Sequence, residues 1–199
     1  MTNFVLASAS PARLKTLRSA GLDPTVIVSG VDESQADGLP PIEMALQLAE
    51  LKCAAVAPRD DVPDGALVLG CDSVLELDGE ALNKPGTEEE ATRRWQDLRG
   101  NTGVLHTGHC LRDATTGRVA AATASTTVHF ADVSDEEIAA YVASGEPLHV
   151  AGAFTVDGLG GAFVTGIEGD HHNVVGVSLP LLRELVLELG HSWTDLWAR

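Results

Sequence analysis

A short apolar run, Phe4-Val5-Leu6-Ala7, leads into Ser8-Ala9-Ser10-Pro11 and then Arg13. Ser is a preferred helix cap and Pro suits a first helical position, so Ser8, Ser10 and Arg13 gather at a helix N-terminus. Free backbone N–H groups, two hydroxyls and a guanidinium at such a point would bind a phosphate. A cation in a first turn opposes the macrodipole at a cost of roughly 0.3–1 kcal/mol, which an anionic ligand offsets. The plainer alternative is a capped helix with a solvated Arg.

Asp72 ends the apolar run Ala66-Leu67-Val68-Leu69-Gly70-Cys71. Strands of an open α/β sheet present their carboxyl ends to the ligand crevice, and Asp seldom belongs beside a buried run. The reading is therefore a carboxylate at the end of a buried strand, with an Asx turn as the alternative. Asp32-Glu33 is a second acidic point. Hard oxygen ligands spread over two loops suit Mg²⁺ or Mn²⁺ bridging a substrate phosphate, although a solvated loop has the same composition. Lys84 precedes Pro85, which fixes the backbone beside a side chain able to meet a phosphate, unless it is an ordinary surface Lys. Lys52 flanks a helical apolar stripe, where Lys usually snorkels to solvent. His171-His172 lacks HExxH-type spacing and is read as structural or surface, on a strand whose adjacent side chains diverge. Gly158-Leu159-Gly160-Gly161 matches neither GxGxxG nor GxxxxGK[ST] and marks a tight turn or a close backbone approach.

The elements that must position these residues follow from periodicity and caps. A first strand feeds a helix over 11–20, stopped at Gly21, and a strand over 25–29 precedes the acidic loop. Pro40-Pro41 opens a helix whose Ile42, Ala45, Leu46, Ala49, Cys53 and Val56 keep helical spacing. The buried strand over 66–70 is followed by a hairpin at Asp78-Gly79. Thr87-Glu88-Glu89-Glu90 and Ser134-Asp135-Glu136-Glu137 read as capping boxes of two helices closed by Gly100 and Gly145. Strands are expected near 103–112, 118–130 and 162–167, with a last helix near 179–189. Helices and strands alternate without repeats or a long linker, which predicts one α/β domain over 1–199.

Composition narrows the function. Thirteen Lys+Arg against 29 Asp+Glu leave a formal charge of −16, which repels extended nucleic acid unless the cations are concentrated in one place. Cys53, Cys71 and Cys110 are odd in number, widely spaced and without a CxxC pair, so neither a disulfide framework nor a zinc signature is expected. With no basic, apolar leader and no 18-residue apolar run, neither secretion nor membrane insertion is expected, and a reducing cytoplasm fits best.

Read together, the segments resemble the Maf family of nucleoside triphosphate pyrophosphatases over nearly the whole chain. The pieces that carry the resemblance are Leu6-Ala7-Ser8-Ala9-Ser10-Pro11-Ala12-Arg13-Leu14, Val31-Asp32-Glu33, Leu48-Ala49-Glu50-Leu51-Lys52-Cys53-Ala54, Gly70-Cys71-Asp72-Ser73-Val74 and Asn83-Lys84-Pro85. Later pieces include Gly145-Glu146-Pro147-Leu148, Ala151-Gly152-Ala153-Phe154 and Asn173-Val174-Val175-Gly176. The resemblance implies an α/β fold with a central mixed, twisted sheet flanked by helices and two lobes around a cleft, as in other house-cleaning pyrophosphatases such as the ITPase-like proteins. It implies that Ser8, Ser10, Arg13, Lys52 and Lys84 hold the triphosphate, with Ser73 also on the substrate. It gives catalysis to Asp72, Lys84 and Glu33, a divalent cation, Mg²⁺ or Mn²⁺, to Asp72 and Glu33, and the activation of the attacking water to Asp72. It also implies a homodimer.

Two positions depart from the family's usual pattern: Ala12 stands where a second Arg or an aromatic residue is common, and Ser73 where Thr or Gln is. Family members acting on dTTP and UTP carry Asp-Lys-Ala-Gly and then Gln-Gly where this chain has His149-Val150-Ala151-Gly152 and Asp157-Gly158. Those acting on 7-methyl-GTP carry His, Ala-Gly and Glu-Gly, which this chain resembles more. A carboxylate accepts from guanine's N1–H and amino group and repels uracil's carbonyl edge, so Asp157 is the expected reader of a guanine-like base. The competing readings are a dTTP/UTP pyrophosphatase and a non-catalytic nucleotide-binding regulator of cell division. A zinc hydrolase built on His171 and His172 is disfavoured by their spacing.

Overall fold

The computed structural model describes residues 2–198. β1 (Phe4–Leu6) lies parallel to β2 (Thr25–Val26) on one side and to β3 (Leu67–Leu77) on the other. β3 then pairs antiparallel with β5 (Thr102–Asp113), β5 with β6 (Val119–Phe130), and β6 with β7 (Val164–Glu168), while β4 (Glu80–Leu82) returns on β3 through the hairpin. The result is the expected mixed seven-stranded sheet with helices packed on it, in the order β2-β1-β3-β5-β6-β7. The hairpin turn carries Asp78 and Gly79 at φ 51° and 85°, the pair of positive values that a type I′ turn needs.

One face of the sheet is covered by α2 (Pro41–Val56), with Ile27, Ala36 and Leu39 beside it. Glycines at Gly70 and Gly108 let it approach: a Cβ at either would meet α2 backbone, with Cys53 N at 2.7 Å from the first and Leu46 N at 2.6 Å from the second. The opposite face carries two separate cores at its two ends. At one end α1 (Pro11–Ser19) and α6 (Leu179–Glu188) bury Leu17, Leu182 and Val186 over Leu67, Leu69 and Leu111. At the other, α3 (Glu88–Leu98) and α4 (Asp135–Ala143) bury Trp95, Ile138 and Tyr141 over Leu75, Leu105 and Phe130. Trp95 there meets Phe130, Tyr141 and Phe163 edge to face, and its indole N–H donates to Ala153 O at 2.8 Å. Two cores on one sheet make the two lobes, and the seam between them is a cleft.

Several local expectations are corrected. β3 does not end at Cys71-Asp72 but runs for 11 residues through Asp72, because β5 pairs with it from Leu67 to Glu76. Asp72 therefore sits in mid-strand. Its crevice arises differently: β1 pairs with β3 only over Leu67–Leu69 and β4 only over Leu75–Leu77. Among the described residues no strand covers that edge of β3 at 70–74. The strand expected at 25–29 is only Thr25–Val26, after which residues 28–31 leave the sheet to line the cleft. His171 and His172 lie in the short helix α5 (His171–Val175), capped by Asp170, rather than on a strand. The Ser134 capping box forms in full. At Thr87 only the hydroxyl half forms, since the Glu90 carboxylate turns to Arg93 and Arg94 instead. Residues 159–163 form a 3-10 turn, so the next strand starts at Val164.

His109, fully buried on β5, donates from Nδ1 to Thr107 O at 2.9 Å and accepts the Ser178 N–H on Nε2 at 2.8 Å. Burial pushes its pKa down to about 4, so the folded protein holds it neutral. The unfolded chain takes up that proton near pH 6.5, and stability present above 6.5 is lost as pH falls from there toward 4. Between pH 7 and 5 the loss should be about 2 kcal/mol. His109→Asn, measured by denaturant titration at both pH values, should flatten that dependence; an unchanged slope would assign it to other groups.

Candidate active site

The cleft has a volume of about 550 Å³ and is lined from both lobes, a size suited to a small-molecule ligand. The residues expected to hold substrate or metal reach it: Ser8, Ser10, Arg13, Glu33, Lys52, Asp72, Ser73, Lys84 and Asp157 all line its wall, whereas Asp32, His171 and His172 do not. Their arrangement is not what the local sequence suggested.

Lys52 does not snorkel. The helix α2 lies flat on β3, so the ammonium is carried under the acidic loop and the residue is only 8% exposed. Its Nζ stands 2.5 Å from Asp72 Oδ1 and 2.7 Å from Glu33 Oε1. Asp72 is also 8% exposed, whereas the Glu33 side chain is half open to solvent. Burial opposes ionisation of Glu33, but the bond and charge of Lys52, with the charges of Lys84 and Arg13, outweigh it and hold the carboxyl below its usual range. Glu33 is brought there by a 3-10 turn, Glu33–Ala36, capped by the Asp32 carboxylate, which accepts the Ser34 N–H at 3.1 Å. Asp32 thus shapes the loop, and Glu33 enters the site.

Arg13 is the third residue of α1, as its spacing from Ser10 predicts, and Ser10 Oγ accepts the Arg13 N–H at 3.3 Å. The residue is 8% exposed and its guanidinium is largely committed to the protein. Nε donates to Gly176 O at 2.7 Å, Nη1 to Cys71 O at 2.9 Å and Ser8 Oγ at 3.1 Å, and Nη2 to Ser73 Oγ at 3.0 Å. These acceptors are all neutral. The group therefore ties α1, β3 and the end of α5 together, while its positive charge is left without a carboxylate partner among the described residues. Ser8 Oγ accepts from both Ser10 N–H and Arg13, which leaves its own proton to donate. Ser73 also shares a hydrogen bond with the buried Thr107 at 2.9 Å, so it orients Arg13 from the cleft wall.

Lys84 is exposed on the segment after β4 and forms no ion pair among the described residues. On the other side of the cleft, Asp157 projects from the loop at 155–160, with its Oδ2 3.6 Å from Lys15 Nζ on α1. That contact is long and solvent-accessible and leaves the carboxylate available. Sequence reasoning passed over Glu146. Its carboxylate receives four donors, and the only local signal was the spacing of the glycines that wrap it.

Among the described residues no group of three or more His, Cys, Asp or Glu is placed to hold a metal ion, and His171 and His172 lie on α5 outside the cleft lining. The oxygens of Asp72 and Glu33 on one ammonium stand no farther than about 5 Å apart. Two converging carboxylates beside phosphate-binding groups fit a hard divalent cation that completes its shell with water and substrate oxygens. The three cysteines are free and buried, and no helix of the described residues is long and apolar enough to cross a membrane.

Residues 3–189 match the profile of the family described as Maf-like protein. The chain is 62% identical over 194 residues to a Streptomyces avermitilis protein named nucleoside triphosphate pyrophosphatase, covering 98% of this chain and 94% of that one. A protein of the same name from Gloeothece citriformis is 53% identical, covering 98% and 97%. Among solved structures, the Staphylococcus aureus Ham1 protein aligns at 18% identity and a TM-score of 0.41, over 66% of this chain and 73% of that one.

Proposed function

The chain belongs to the Maf family, and from that premise we propose that it hydrolyses nucleoside triphosphates to the monophosphate and pyrophosphate. One observation carries the site assignment: Lys52 holds Asp72 and Glu33 together in the wall of a cleft ringed by phosphate-binding groups.

In this reading a water oxygen attacks the α-phosphorus, the bond from that phosphorus to the α–β bridging oxygen breaks, and pyrophosphate leaves with the electron pair. Catalysis of this kind needs positioning and charge neutralisation more than covalent chemistry. Asp72, on the rigid centre of β3, accepts the water's proton on its carboxylate. Lys52 fixes that carboxylate and offsets the charge that gathers as the phosphorane-like state forms. Lys84 and the Ser8 hydroxyl meet phosphate oxygens, and Ser10 opens the helix N-terminus toward them. Arg13 contributes its charge from below, already oriented by four protein acceptors. A Mg²⁺ or Mn²⁺ held by Asp72 and Glu33 would neutralise phosphate charge when bound.

The base end is read by Asp157. A carboxylate there favours a base with adjacent N–H donors, such as guanine or 7-methylguanine, over the acceptor-rich edge of uracil or thymine. Pyrophosphate release should be measured with Mg²⁺, Mn²⁺ or EDTA across 7-methyl-GTP, GTP, UTP, dTTP, CTP and ATP. Metal-dependent release led by 7-methyl-GTP or GTP is expected, with Asp157→Asn lowering that preference by about tenfold. A lead for UTP or dTTP would remove Asp157 as the base reader, and no release with any substrate would leave a nucleotide-binding module.

A further inference from the structure

The loop that carries Asp157 has no regular structure of its own between Phe154 and the 3-10 turn Leu159–Phe163. Its placement comes from one carboxylate outside the phosphate end of the cleft. Glu146 Oε1 accepts the Thr155 hydroxyl at 2.6 Å, the Tyr141 hydroxyl at 2.9 Å and the Gly160 N–H at 3.0 Å, and Oε2 accepts the Leu159 N–H at 3.0 Å. Tyr141, buried in the α4 core, donates to Glu146 and accepts the Thr155 N–H at 3.3 Å. Burial and the Glu146 charge both push the Tyr141 phenol up, which keeps it a donor.

Both ends of the loop are therefore fastened to the same carboxylate, and Val156, Asp157 and Gly158 lie between the fastenings. The glycines make this possible. A Cβ at Gly158 would lie 2.6 Å from Glu146 Oε2 and from Thr155 Oγ1, and one at Gly160 would lie 2.8 Å from Thr155 O. Glu146 is not among the residues lining the cleft, so its influence on substrate passes through the loop.

We propose that Glu146 is a positioning residue that sets base discrimination by fixing the Asp157 loop; this rests on the reading of Asp157 as the base contact. The phosphate end stands on β3, α1, α2, the acidic turn and the Lys84 segment, and the Glu146 carboxylate hydrogen-bonds to none of them, its partners being Tyr141, Thr155, Leu159 and Gly160. Loss of the clamp should therefore act on recognition of the base and leave the chemical step largely intact.

The test compares Glu146→Ala, Glu146→Gln, Asp157→Asn and a destabilised control, Val186→Ala, whose site lies in the other core. Each is assayed for kcat and KM on 7-methyl-GTP and UTP and for Tm. Glu146→Ala should raise KM for 7-methyl-GTP about tenfold, hold kcat within about threefold, and lower the ratio of kcat/KM between the two nucleotides about tenfold. Glu146→Gln, which with its oxygen on the inner side keeps three of the four bonds, should restore part of that ratio. Val186→Ala should lower Tm and leave the ratio alone. A Glu146→Ala enzyme that loses both substrates equally, or a Val186→Ala enzyme with the same change in ratio, would overturn the proposal. If Asp157→Asn shifts the ratio and Glu146→Ala does not, the positioning role alone fails. If Glu146→Ala shifts it and Asp157→Asn does not, the loop role holds and the Asp157 reading fails. A wild type indifferent to the base overturns both. Should turnover be absent, the same ratios are read as Kd values by calorimetry.

Discussion

Asp72→Asn should reduce kcat for pyrophosphate release by at least about 100-fold while the protein remains folded. Asn matches Asp in shape but neither accepts the water's proton nor supplies negative charge to a cation. The ordinary danger of the substitution, a buried Lys52 left without a partner, is relieved because Glu33 Oε1 remains 2.7 Å from the ammonium. Removing one partner of a buried pair is costly mainly when the other is stranded. A loss of turnover with a near-wild-type melting curve is therefore the expected pair of results. A near-normal rate would take Asp72 out of the mechanism.

The second large effect lies beneath the site. Gly70→Ala should destabilise the protein by about 3 kcal/mol, the upper end of ordinary overpacking. Its new methyl would lie 2.7 Å from Cys53 N and 2.9 Å from Cys53 Cβ on α2, and helix backbone cannot yield as a flexible side chain does. For a chain of this length the loss corresponds to a fall in Tm of about 6–12 °C. Because Lys52 precedes Cys53 on the displaced turn, activity should drop as well, even in the fraction that folds. Gly108→Ala strikes the same helix one turn earlier, beside Leu46 N. The double variant should therefore cost less than the two losses added together. Thermal melts of the three variants check this; a Tm for Gly70→Ala within 2 °C of wild type would show that α2 shifts at little cost.

Much of the fold was legible locally. The Ser10, Thr87 and Ser134 caps, the Asp78-Gly79 turn and the stripe on α2 each act within about four residues, and each element forms where those signals place it. The limits of that range are equally visible. Ala66-Leu67-Val68-Leu69-Gly70 and Val74-Leu75-Glu76-Leu77 read as two segments because Asp72 interrupts the apolar run. Ten successive pairings with β5 make them one strand.

The sequence alone determined the chemistry on offer: phosphate-binding residues at a helix start, two acidic points, two lysines and a family pattern joining them. It also determined the alternation of helices and strands. What only the tertiary structure decided was the partnership among those residues. Lys52 was a stripe-edge cation until α2, let down onto the sheet by Gly70 and Gly108, carried it to Asp72, 20 residues away. Arg13 looked free for a substrate until Gly176, 163 residues distant, closed over its Nε. Glu146 carried no assigned role until the chain folded back and brought four donors to it. The physical reason is common to all three: a charged side chain gains most from partners that share its desolvation, and long-range packing selects those partners.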